Sequence, residues 1–143
     1  GQGALWPDVQ ILRTNGVEVV TAPKLKSLVN MLKKDRFDCY ARAIFEANEE
    51  IKALDSAQFA IEESIAFQYP MPIFIFVSKS NPQLYARLKA GFDIIVNNGQ
   101  FDAYIEKFYG ESIAQVATNN RIVIPLLNKD LSEATKRILK QQD

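Results

Sequence analysis

The chain has 143 residues, 48% of them apolar, with 17 basic and 17 acidic side chains and no histidine. That length and apolar share suit one ordinary domain and argue against disorder, and the even charge leaves no global field to draw in nucleic acid. The lack of histidine excludes Ser-His-Asp and Cys-His catalysis and most zinc sites, and the one cysteine, Cys39, excludes an internal disulfide framework.

The chain opens on Gly1 rather than methionine. The expectation is a processed or excised piece, with any signal peptide lost ahead of it. Gly1–Leu5 reads as a flexible lead, and its Gly-x-Gly could start an anion-binding loop. Trp6-Pro7-Asp8 starts a helix with proline at the first position and an acid in the first turn. Val9, Ile11 and Leu12 form its apolar side, and Asn15-Gly16 closes it.

Val17–Ala22 reads as a strand ended by Pro23. Lys24–Asp35 is an amphipathic helix with Leu25, Leu28, Val29 and Leu32 on one stripe. Phe37–Ala41 follows as a strand, and the rhythm predicts parallel pairing. Arg42 then leaves the strand end and precedes a helix over Phe45–Leu54. Ligands in open α/β sheets sit beyond the carboxyl ends of strands, and a guanidinium grips a carboxylate with two bonds. The competing reading of Arg42 is a local ion pair with Glu46, four residues on.

A turn is expected at Asp55–Gln58, then a short strand over Phe59–Ile61. Ile65–Pro72 is extended and stiffened by Pro70 and Pro72, which suits a crossing between lobes. Ile73–Val77, IFIFV, has no polar alternation, so a strand buried on both faces is expected. It is also the longest apolar stretch, far short of a membrane span. Asn81-Pro82 starts a helix that ends near Asn98-Gly99, and a second helix runs from Gln100 to Gly110. Glu111–Asn119 is read as helical, Arg121–Leu127 as extended, and Leu131–Gln141 as a terminal helix.

In YPMPIFIFVSKSNPQLYARLKAGFDIIVNNGQFDAYIEKFYG, an extended segment reaches a strand ending in Ser-Lys, then an Asn-Pro helix, then an aromatic helix. This order resembles the C-terminal part of a bacterial extracellular solute-binding protein of the amino-acid ABC transporter type. RFDCYARA and GQGALWPDVQILRTNGVEVV are similar to that family's second lobe. The resemblance implies an α/β fold, periplasmic-binding-protein type II-like. Residues 1–66 would form the second lobe without its leading strand, 67–72 the hinge crossing, and 73–143 the returning strand and helices of the first lobe.

By the same resemblance the ligand-binding residues are Gln2, Gly3 and Arg42, with Trp6 and Tyr69 at the rim. The family's acidic residue for a ligand amine is replaced by Arg42-Ala43, which suits a solute bearing an acidic group or one lacking a free amine. The implied partners are a small-molecule solute and the membrane subunits of an ABC transporter, in the periplasm, with no nucleic acid. No catalytic residue, metal or cofactor is assigned. A sensor domain, or a dehydratase-like enzyme using Glu46, Glu62 or Glu63, stands as the alternative on the same scaffold. A phosphoacceptor receiver is discarded, because the early strand ends in Thr21-Ala22 without clustered acids. With its leading strand missing, the fragment is expected to form a homodimer or to move the segment after Tyr69 over its open face.

Overall fold

A computed structural model describes residues 1–54, 58–118 and 120–140. The turn expected at Asp55–Gln58 falls mostly outside them, as do Asn119 and Gln141, the expected ends of two helices. Among the described residues the protein is mixed α/β, with six helices and two parallel sheets of two strands each.

The first sheet pairs β1 (Gln2–Gly3) with β2 (Thr21–Ala22) in parallel, Gln2 opposite Thr21 and Gly3 opposite Ala22. Gly1–Leu5 is therefore not wholly the flexible lead that its composition suggests. Amides of Gln2 and Ala4 donate to the carbonyls of Val20 and Ala22, 2.9 Å each. Of the strand expected over Val17–Ala22, only the last two residues join the ladder. A two-residue partner limits the pairing.

Between these strands runs α1 (Asp8–Thr14), with Val9, Ile11 and Leu12 buried as its spacing requires. Pro7 precedes it in a helical conformation, and Gly16 takes the left-handed φ of 81° that ends such a helix cheaply. The next helix, α2 (Leu25–Leu32), buries Leu28 completely, at 0% exposure, while Leu25 stays exposed. Asp35, at φ 51°, turns the chain out of it.

Phe37–Ala41 forms no strand. Its carbonyls face the start of the chain, where the Gly1 ammonium donates to Cys39 (2.6 Å) and the Gln2 side chain to Ala41 (3.0 Å). Side-chain and terminal donors replace a ladder. The helix α3 (Ile44–Ala53) follows as expected, but Phe59–Ile61 forms no strand.

The second sheet pairs β3 (Ile65–Gln68) with β4 (Ile122–Pro125), Ile65 opposite Ile122 and Gln68 opposite Pro125. The first two of the six residues read as the hinge crossing, Phe67 and Gln68, thus lie in a strand. Pro125 occupies the strand's last position, where a missing N–H costs the ladder least. After β4 the chain returns to α1: Leu126 joins Ile11 and Leu12 in a small core, with Val17, Val19, Tyr69 and Ile124 packed around it.

Two long helices lie between the strands. α4 (Pro82–Asn97) has Asn81 as its cap, the side chain accepting from the Leu84 amide at 3.0 Å. α5 (Gln100–Thr118) packs on α3 through Phe45 and Tyr109, ring centroids 5.2 Å apart. The stop expected at Gly110 does not occur. An interior glycine costs a helix only about 1 kcal/mol relative to alanine, which a long run of good helix formers absorbs. Last comes α6 (Glu133–Leu139), capped by Ser132 onto the Thr135 amide.

The largest departure is at Ile73–Val77, which is not a buried strand. It has no strand assignment and makes no backbone hydrogen bond among the described residues. Ile73 is 90% exposed and Phe76 92%. An uninterrupted apolar run signals a need for cover on both faces, yet Phe74 and Ile75 too stay more than half exposed.

Candidate functional site

The expected cleft residues fall into two groups. Gln2, Gly3, Trp6 and Arg42 meet at one place, and Tyr69 lies apart from them. The meeting is built by β1 and by the segment that leads into α3. Gln2 is 2% exposed, and its amide nitrogen holds the Ala41 carbonyl at 3.0 Å across 39 residues of chain. This fixes the backbone just before Arg42.

Gly3 is needed by Trp6. A Cβ on Gly3 would stand 2.5 Å from the indole, well inside contact distance. The Trp6 ring then carries the guanidinium of Arg42 at 4.7 Å from its centroid, and Tyr40 lies near both, 5.4 Å from the guanidinium. The Trp6 and Tyr40 rings are 6.3 Å apart. Stacking a guanidinium on aromatic faces contributes about 0.5–2 kcal/mol, more as water is removed.

Arg42 is not open. Its Nε donates to Glu50 at 2.8 Å, and its Nη2 reaches Glu50 at 2.5 Å and Glu46 at 3.1 Å. The local pair with Glu46 is present, joined by a stronger fork to Glu50. Positions 42, 46 and 50 are spaced by four, so the arginine lies along the first two turns of α3 and meets both carboxylates. Burial works against the guanidinium's charge. The hydrogen bond to Glu50, with the nearby Tyr40, Glu50 and Glu46, outweighs it and raises the pKa above the ordinary arginine value.

Two buried polar atoms at this place have no hydrogen bond among the described residues: Gln2 Oε1 and the Tyr40 hydroxyl. Such groups cost roughly 1–3 kcal/mol each when left unpaired. Burial, against the opposing pull of Arg42, raises the Tyr40 pKa to about 12.

The anion-binding reading of Gly1–Trp6 does not fit the geometry. The amides of Gln2, Ala4 and Trp6 are taken by the carbonyls of Val20, Ala22 and Gly3. Tyr69 is engaged elsewhere: its hydroxyl donates to Asp8 and its ring packs on the Ile11–Leu12–Leu126 core. Glu62 caps its own loop, accepting from the amides of Ser64 and Ile65 at 2.7 and 2.8 Å.

Sequence reasoning did not assign Tyr40 and Glu50 to the site. The four-residue spacing of Arg42, Glu46 and Glu50 was a signal for the second. Tyr40 had none, because its role follows from the fold of Trp6 against Gly3. Among the described residues no group of three His, Cys, Asp or Glu side chains is placed to hold a metal, and no helix is long and apolar enough to cross a membrane. No family model matches the chain, and no curated protein or solved structure matches it either.

Proposed function

We propose that this chain is part of a periplasmic-binding-protein type II-like receptor that captures a small acidic solute for the membrane subunits of an ABC transporter. The observation that carries the reading is the convergence of Gln2, Trp6, Tyr40 and Arg42 from two distant segments. Two unpaired buried polar atoms and an arginine fork on aromatic faces make a recognition surface for a carboxylate. Glu50 occupies that fork in the present geometry, so an acidic solute exchanges with it: the solute carboxylate takes the guanidinium and Glu50 turns to water.

In this reading β1, α1 and α3 supply one wall, and closure of two lobes supplies the other. Binding energy comes from charge-assisted hydrogen bonds in a partly dry site, and no bond is made or broken. The test is thermal shift of the chain against a panel of small carboxylates. A solute that binds only the folded state raises the melting temperature. The expected result is a rise with one class of carboxylate, lost in Arg42→Ala. A panel without any response, or a response that persists in Arg42→Ala, overturns the proposal.

A further inference from the structure

The dipeptide Asn-Gly occurs twice, at Asn15-Gly16 and Asn98-Gly99, and each closes a helix. The backbone is nearly the same at both. Asn15 has φ −97° and ψ 17°, Asn98 has φ −97° and ψ 5°, and the glycines take left-handed φ values of 81° and 76°. Each glycine nitrogen donates to a carbonyl three residues back, Gly16 to Arg13 at 3.1 Å and Gly99 to Val96 at 3.3 Å. A Cβ on either glycine would meet nothing within 4 Å, so neither nitrogen is crowded from that side.

The asparagine side chains are held very differently. The Asn15 amide nitrogen donates to the Ile11 carbonyl at 2.8 Å and to the Leu127 carbonyl at 2.9 Å, and its oxygen accepts from the Leu127 amide at 2.9 Å. Asn98 is exposed, and its one side-chain hydrogen bond among the described residues is accepted from the Gln100 amide at 3.0 Å.

We infer that Asn98-Gly99 is a site of spontaneous deamidation, and that the fold protects Asn15-Gly16 from the same reaction. The Gly99 nitrogen, having given its proton to base, attacks Cγ of Asn98. The N–Cγ bond forms, the Cγ–Nδ2 bond breaks, and Nδ2 leaves as ammonia with a proton from water. Water then opens the succinimide. Opening at the side-chain carbonyl leaves aspartate; opening at the main-chain carbonyl leaves isoaspartate, with a methylene added to the backbone. Glycine suits the nucleophile because no side chain shields its nitrogen.

For the attack, the asparagine side chain must leave its partners while ψ turns toward the glycine nitrogen. At Asn98 this breaks one side-chain hydrogen bond; at Asn15 it breaks three, two of them to Leu127. Two further hydrogen bonds of ordinary net strength should slow the reaction at Asn15 by roughly tenfold or more. Either product at position 98 puts a negative charge into the turn between α4 and α5, in a chain whose formal net charge is zero. Neither the Arg42 cluster nor any cover of the apolar residues enters the inference.

The test is incubation of the full chain at neutral and at mildly alkaline pH, followed by digestion and peptide mass mapping. Isoaspartate is scored by enzymatic methylation of its free carboxylate. The expected result is a mass gain of amide-to-acid exchange in the peptide bearing Asn98, with isoaspartate present and the rate rising with pH. The peptide bearing Asn15 should change roughly tenfold more slowly or less. A second arm in denaturant separates the fold from the local sequence: there the two peptides should react at comparable rates. An Asn98 peptide that keeps its amide, equal rates in the folded chain, or a disparity that persists in denaturant overturns the inference.

Discussion

The two parts of this chain treat their apolar residues in opposite ways. Within residues 1–32, Val9, Ile11, Leu12, Ala22 and Leu28 are all buried around one short sheet. Within residues 65–114, none of the large apolar side chains is, although the composition is at least as apolar. The first part alternates short strands and helices, so each apolar stripe finds its neighbour close along the chain. The second carries two long helices and the apolar segment Ile73–Val77, whose covers must come from far away or from another molecule. Apolar composition sets the demand for burial; connectivity decides whether one chain can meet it.

The sharpest test of this contrast compares two truncations. Leu28→Ala should cost about 2–5 kcal/mol in denaturant unfolding, since the side chain is fully buried and leaves a cavity. Phe76→Ala removes a larger side chain, yet in a dilute monomer it should fall within about 0.5 kcal/mol of no change. Equal costs for the two would break the comparison.

Next in size is the arginine fork. Arg42→Ala leaves Glu46 and Glu50 facing each other without their cation, and should cost about 1.5–3 kcal/mol. Glu50→Gln should cost less, and the double substitution should cost less than the sum, by about 1 kcal/mol in a double-mutant cycle. Strict additivity would mean that the fork does not hold in solution.

The closure of the segment after β4 onto the first part is tested by Asn15. Its side-chain amide donates to the Leu127 carbonyl and its oxygen accepts from the Leu127 amide, 2.9 Å each. Asn15→Ala should cost about 1–2 kcal/mol, because two backbone groups lose their partner. Hydrogen exchange should show the Leu127 amide losing protection while Leu28 keeps its own.

The smallest effect is expected from pH. Burial raises the Tyr40 pKa to about 12, and burial together with the bond to Asp8 raises that of Tyr69 as well. A phenol whose folded pKa exceeds its unfolded one contributes stability that is complete below about pH 10 and is lost as pH rises through the folded value. The tyrosine contribution to the unfolding midpoint should therefore be constant below about pH 10 and drop above it. Tyr40→Phe and Tyr69→Phe should each make the drop shallower; an unchanged slope in both would contradict the burial of these hydroxyls.

How much of this was legible in the sequence follows from the range over which each signal acts. Pro7, Gly16 and Asn81 bounded helices correctly because capping is decided within a few residues. The apolar stripe over Leu25–Leu32 placed Leu28 on the inner face for the same reason. Strands were less legible. Phe37–Ala41 has the composition of a strand but is met by the Gly1 ammonium and the Gln2 side chain, a choice no local pattern encodes. Ile73–Val77 signalled a need for cover and nothing about its source. In the candidate site, the spacing of Arg42 and Glu46 announced their pair, whereas the approach of Trp6 to Arg42 depended on Gly3 having no side chain.

The Asn15–Leu127 bridge spans 112 residues, and this bears on how the chain comes into being. A ribosome adds roughly 5–20 residues per second, so the partner of Asn15 is made roughly 6–22 s after Asn15 itself. Through that interval Ile11 and Leu12 have their helix but not Leu126, the residue that completes their core. The apolar side of α1 is thus sealed by a segment made 112 residues later, and the nascent chain must keep that face from other contacts throughout the interval.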